Sequence, residues 1–490
     1  QRRVHGGTRQ NGNWVCSSTL LVCLRRSIIL GIRLEFPMRS LTTFCLFIFS
    51  LFPLQIFPVS LATFSPADDF LISSGSPTTS SFYTRTFLPD SSASNVDTPF
   101  FSCRTSSVTA SSKPLDGVFH LHQTARVFAK PSKYVFTIKD PGVHLVRLHF
   151  FPFLSPNLNL SNAVFHVIIG GHVALNQFSV LESLTIKEYF FPVHSSNLAI
   201  EFIPLDKHHF AFVNAIEVFS VPKDFISNEH LFETVHRVNV AGPLVNPFND
   251  TLGRTWVPDE QFFISGASSK VVHFSGRIQY INGGASREVA PDFIYNTARV
   301  ISSRNDSVPD GKMTWEFPIA KGYKYFVRLH FCDIASVALN LINFNVYING
   351  EQVEDRLDLS AMWNTLAAPV YEDFVVESGD SLVLRVAIGA SNESVAHSID
   401  GILNGVEIMK MNNMMGSLDG EVFAEMLMRK WHRNRLFSIQ FMAAVCLLFG
   451  AFVFLYRKTK SVRNGYGWIS LPTSPDYFSN KKMLITLCKV

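Results

Sequence analysis

Cysteine is scarce where a secreted scaffold would need it. The chain has 490 residues and seven cysteines, and only Cys103 and Cys332 fall within residues 63–435. A disulfide-dense fold is excluded; one bridge is the most this stretch can form, so its stability must come from apolar cores. Charged residues are few, at 17% against 47% hydrophobic, which excludes a disordered chain. Apolar runs long enough to matter occur only near the start and at 436–456, which excludes a polytopic transporter. No helical apolar period is sustained before residue 420.

Catalytic motifs are missing too. There is no G-x-S-x-G, C-x-x-C, H-E-x-x-H or P-loop, and the tail after residue 456 carries no kinase signature. The close histidine pairs, His120 with His122 and His208 with His209, lack a cysteine or carboxylate at a usual metal-ligand spacing. No catalytic residue, metal site or cofactor is assigned. The formal net charge of +4 sits outside the central part, where residues 63–435 hold 29 Lys+Arg against 37 Asp+Glu. A nucleic-acid-binding domain would carry a basic footprint there, so that class is excluded.

What is present is an address and a repeat. Residues 1–37 precede the first methionine and are set aside as an upstream, non-structural segment. From Met38 one arginine, an apolar run and Ser60, Leu61 and Ala62 form the three-part pattern of a signal peptide, 38–62. Residues 436–456 are uncharged and long enough to cross about 30 Å of hydrocarbon as a helix. Four basic residues flank each end of that span, so the positive-inside count is tied, and the signal peptide sets the orientation. The expectation is a single-pass type I membrane protein with residues 63–435 outside and a short cytoplasmic tail, 457–490. N-x-S/T sequons at Asn159, Asn249, Asn305 and Asn392 agree with that side of the membrane.

Four segments recur in the same order. Arg85–Asp90 (RTFLPD) returns as Arg254–Asp259 (RTWVPD), Thr124–Val127 (TARV) as Thr297–Val300, Val146–Phe150 (VRLHF) as Val327–Phe331, and Asn214–Val218 (NAIEV) as Asn404–Ile408 (NGVEI). The offsets grow from 169 to 190, too long for a solenoid. The local pattern alternates with period 2: in VRLHF the apolar side chains point one way and the basic ones the other. The fold class read from this is all-β, with two tandem β-sandwiches, 63–222 and 223–410, followed by a juxtamembrane stretch, 411–435, and one membrane helix. The two sandwiches are expected to fold independently, joined by a linker near 222–230. Any sugar binding is expected from exposed aromatic faces on loops, with Trp256, Trp315 and Trp363 as candidates. The first copy is nearly neutral, with 10 basic and 11 acidic residues over 63–222, and the second is acidic, with 15 and 23 over 223–410. A basic ligand is therefore expected on the second and any contact with a polyanion on the first.

The order of signal peptide, Phe64–Asp69 (FSPADD), tandem RT-x-x-PD, paired VRLHF strands, Leu403–Ile408 (LNGVEI), and Met411, Asn412 and Asn413 ahead of Gly416–Gly420 (GSLDG) resembles the plant malectin-like receptor kinases of the Feronia and Theseus type. The resemblance implies two malectin-like β-sandwich domains and a cell-wall sensor. It also implies partners: pectin-like wall polysaccharide, a small basic secreted peptide, and a glycolipid-anchored co-receptor. The family carries a Cys-Gly-Ser near the ectodomain start where this chain has Ser73, Ser74, Gly75 and Ser76, so the question of the corresponding disulfide stays open. Two readings stay open: a receptor-like protein that signals through partners, and a fragment of a receptor-like serine/threonine kinase whose kinase domain is absent from this chain.

Overall fold

The computed structural model describes residues 64–90, 100–102, 107–113, 117–180, 183–265, 269–302, 312–392 and 399–463. The proposed leader, residues 464–490 of the tail, Cys103 and Asn305 lie outside them.

Eleven strands form one continuous sheet. The first copy contributes Ser80–Phe82, Arg85–Pro89, Asp69–Ser73, Ala215–Ser220, Gly142–Phe150 and Thr185–Val193, in that spatial order. The second copy continues it with Phe232–Asn239, Gly405–Met411, Lys324–Cys332 and Pro369–Glu377, while Val257–Pro258 pairs with Phe232–Asn239 to one side. Apart from Ser80–Phe82, one five-strand unit is thus written twice. Tyr189 and Phe190 of the first unit pair with Glu233 and Phe232 of the second.

This corrects the expectation of two independent sandwiches, because both VRLHF strands belong to that one sheet. The segment 222–230 is not a free linker either. Phe225 and Ile226 are buried in an apolar cluster that mixes residues of both copies, from Leu145, Phe190 and Phe219 to Phe326 and Met409. Cutting the copies apart would bring that cluster into water, at roughly 25 cal/mol for each Å² of apolar surface.

Each copy keeps its own sandwich core on the opposite face of the shared sheet. In the first, Val146, Leu148 and Phe150 pack on Tyr134, Phe165 and Phe202; Phe165 and Phe202 lie on adjacent strands of a covering five-stranded sheet. In the second, Val327, Leu329 and Phe331 pack on Trp315, Phe344 and Val386. The period-2 reading of VRLHF holds, but both faces are covered. Arg147, His149, Arg328 and His330 are all buried.

The chain then doubles back. After Met411, Ser417 forms a parallel bridge with Val173 of the first copy, and the Leu418 amide donates to the Val173 carbonyl at 2.8 Å. Leu418 is fully buried in the first copy's core. The Asn176 amide donates to Asp419 Oδ2 at 2.8 Å, and the Gly420 amide to the Tyr323 hydroxyl of the second copy at 2.8 Å. A side chain at Gly416, where φ is +68°, would put its Cβ 2.8 Å from His172 Nδ1. Glycine is what permits the close approach.

A helix runs from Ala424 to Arg463. Residues Phe441–Lys460 within it are long and apolar enough to cross a membrane, overlapping the stretch 436–456 read from sequence.

Candidate functional site

The recurring segments meet in buried polar clusters. Arg147 donates to Glu188 (Nη2–Oε2, 2.7 Å) and to Glu217 (Nη1–Oε2, 2.6 Å), Arg85 joins Glu217, and His149 Nε2 lies 2.8 Å from Glu217 Oε1. The arginine and histidine come from VRLHF and the glutamate from NAIEV, on adjacent strands. The second copy repeats part of this, with His330 Nε2 3.3 Å from Glu407 Oε2. Burial alone would raise these carboxyls, but the guanidiniums outweigh it. Glu188 is held at about 2 by Arg237 and Arg147, and Glu217 and Glu407 well below the usual carboxylate range.

The other two repeated segments close on each other likewise. Asp90 accepts from Arg126 and from the Tyr134 hydroxyl; Asp259 accepts from Arg299 and from the Trp315 indole at 2.8 Å. Every one of these carboxylates is matched by a donor, and the lowered ionisation of Glu188, Glu217 and Glu407 reports structural pairing. Among the described residues no group of three His, Cys, Asp or Glu side chains could hold a metal.

The tryptophans fall in different places. Trp256 and Trp315 are fully buried, their indole N–H groups donating to Asp250 (3.0 Å) and Asp259 (2.8 Å). Neither presents a face to a ligand, which corrects both assignments. Trp363 is half-buried against the second core, beside Gly284. The exposed aromatic pair is one the sequence reading missed: Tyr83, at φ +51°, and Phe119, with ring centroids 5.1 Å apart. Nothing in the sequence spacing brings residue 83 to residue 119. Among the sequons, Asn159 and Asn392 are exposed and Asn249 half-buried. Cys332 is buried and its partner in the one conceivable bridge, Cys103, lies outside the described residues.

A cleft of about 1780 Å³ opens against the segment 222–230 and the last strand of the sheet. Its walls carry Asp224, Glu229, Glu288, Glu351, Asp373 and Glu377. Against these six acids stand Lys223, Lys324 and Arg328, and Arg328 already pairs with Asp373 at 2.7 Å while Lys324 pairs with Glu377 at 3.0 Å. Phe225, Phe326 and Tyr371 supply the apolar part. Such a wall suits an amphipathic cationic ligand.

Two sandwich cores on one shared sheet, an acidic cleft and a membrane-length helix define a tandem β-sandwich protein with one candidate membrane span. The chain belongs to the malectin-like domain family, whose model matches residues 72–411. It is 38% identical over 406 residues to a probable receptor-like protein kinase of Arabidopsis thaliana, covering 78% of this chain and 48% of that protein. It is 37% identical over 383 residues to the receptor-like protein kinase THESEUS 1 of the same plant, covering 74% and 44%. The chain spans about half the length of the curated relatives it matches. Among solved structures, a complex of the plant peptide RALF23 with FER and LLG2 contains a chain that aligns with a TM-score of 0.63 and 30% identity, covering 73% of this chain and 99% of that one.

Proposed function

We propose that this protein is a cell-surface receptor of the plasma membrane whose ectodomain captures a basic secreted peptide in the acidic cleft and signals together with partners, a glycolipid-anchored co-receptor among them. The observation that carries the reading is the imbalance of charge on the cleft walls, six carboxylates against three cationic side chains. Long-range attraction of that sign speeds capture of a cationic ligand and weakens as salt screens it, over a Debye length of about 10 Å at 0.1 M. The solved complex of a related FER ectodomain with the peptide RALF23 and LLG2 supports it. The test is binding of a synthetic cationic peptide and of polygalacturonate to the full chain in lipid nanodiscs, across a salt series. The peptide is expected to bind more tightly as salt is lowered; tighter binding of polygalacturonate at a site abolished by cleft mutations would overturn the assignment.

A second reading, wall-polysaccharide binding by the first copy, is favoured by the exposed Tyr83–Phe119 pair. Aromatic faces stack on the apolar faces of sugar rings. Loss of polysaccharide binding in a Tyr83→Ala, Phe119→Ala variant of unchanged melting temperature is the expected result, and retained binding would remove it.

A further inference from the structure

We infer that the outer edge of the strand Pro369–Glu377 is the docking edge for a basic peptide in extended conformation, which joins the eleven-stranded sheet as one more strand. The inference rests on the peptide-binding reading above and names the surface that would carry it.

The repeat supplies the precedent. Thr185–Val193 pairs with Gly142–Phe150 in the same register as Pro369–Glu377 pairs with Lys324–Cys332. Phe374 and Val375 therefore stand where Tyr189 and Phe190 stand in the first copy. There the outer edge receives a strand, because Tyr189 and Phe190 pair with Glu233 and Phe232. In the second copy, among the described residues, the equivalent strand pairs on one side only and ends the sheet. A nine-residue edge of backbone donors and acceptors is a template for strand addition. The cleft reaches it: its walls include Asp373, Val375 and Glu377 from one face of the strand, and Val376 with the turn residue Asn349 from the other.

The sign of the partner comes from the same comparison. At the internal joint Lys187 pairs with Glu233 of the incoming strand at 2.7 Å. Lys187 lies opposite Leu148, and the residue opposite the equivalent Leu329 is Glu372. The receiving position has changed from cation to anion, so the incoming strand must change from acid to base. This argues against a second copy of the chain as occupant, since its own first strand begins at Asp69 and is preceded by Asp68. Acidic side chains along an edge hinder indiscriminate pairing; here they also select the partner's charge.

The test uses the full chain in nanodiscs with a decapeptide of alternating Lys and Val, and its Glu/Val counterpart as control. The Lys/Val peptide is expected to bind and to slow amide hydrogen exchange within 369–377. Glu372→Lys, which copies the residue the first copy tolerates, should weaken it roughly five- to tenfold at low salt and improve binding of the Glu/Val peptide, a melting curve reporting the structural cost of the substitution separately. Binding of the Lys/Val peptide without new protection in 369–377 overturns the edge and leaves the peptide reading standing. Absence of any salt-dependent binding of the cationic peptide overturns both.

Discussion

Arg237 donates to Glu188 across the boundary between the two copies, Nη2 to Oε1 at 2.6 Å, and its Nε donates to Glu407 at the same distance. One guanidinium of the second copy thereby ties a carboxylate of each. Together with Arg147, Glu217 and Arg85 it forms a line of alternating charge beneath the shared sheet.

Arg237→Ala should therefore be costly. It leaves Glu188 and Glu407 in the interior with one strong partner fewer each, and breaking a buried pair from one side costs about 3–5 kcal/mol. Urea denaturation of the full chain in nanodiscs, followed by tryptophan fluorescence, measures it. A loss below about 1 kcal/mol would mean the line contributes no more than an exposed ion pair.

Acid should weaken the fold in two windows. His122 stacks on His149, Nε2 to Nδ1 at 3.0 Å, and burial followed by repulsion from His149 lowers it to about 3; burial likewise lowers His149 and His330. In the unfolded chain these imidazoles take a proton near pH 6.5, while in the fold burial disfavours the charged form. The unfolded state then binds more protons, so their contribution is complete above about pH 6.5 and shrinks as pH falls, by up to about 1.4 kcal/mol per pH unit for each histidine. The depressed carboxylates act lower: what Glu188, Glu217 and Glu407 contribute is present above about pH 4.3 and is lost as pH falls toward 2. The second copy carries Tyr295 against His330, its hydroxyl 3.1 Å from Nδ1, where the first carries His122 against His149. His122→Tyr is expected to flatten the slope of stability between pH 6.5 and 4.5.

The buried tryptophans should behave as structural donors. Trp315→Phe removes the N–H that Asp259 accepts and should cost about 1–3 kcal/mol while leaving polysaccharide and peptide binding unchanged. Isothermal titration beside a melting curve separates the two effects. Altered binding at unchanged stability would return Trp315 to the ligand site.

Leu418→Ala should cost about 2–5 kcal/mol, as for any leucine removed from a packed interior, although it lies seven residues beyond the last strand. Exchange of the Leu418 and Asn176 amides should quicken with it. A surface-like loss of a few tenths would place Leu418 outside the first copy's core.

Much of this was legible in the chain itself. The four repeated segments turned out to be the polar clusters: an arginine and a histidine at alternate positions of one strand, and a glutamate on its neighbour. Strand alternation located the cores, because Val146, Leu148 and Phe150 obey it. The joint between copies was not legible. It rests on two residue pairs, Tyr189 with Glu233 and Phe190 with Phe232, which carry no turn signal and no spacing rule. The tryptophans misled for a related reason: Trp256 and Trp315 look like ligand platforms until their carboxylate partners, Asp250 and Asp259, are found beside them in the interior. Tyr83 and Phe119, far apart in sequence, become a pair only through the fold.

Residues 412–420 give the molecule a defined path for mechanical load. A pull on the chain at Ala424 does not fall first on the end of Gly405–Met411, where sequence order would place it. It meets the backbone bridge at Val173, the Asp419 contact with Asn176 and the Tyr323 hydroxyl, so tension is shared between both sandwiches before any strand of the central sheet is peeled. The hold at Val173 is an isolated parallel bridge with one backbone hydrogen bond, and the Tyr323 contact is likewise a single point of hold. The ectodomain is fastened to its stem as by a buckle with two holes.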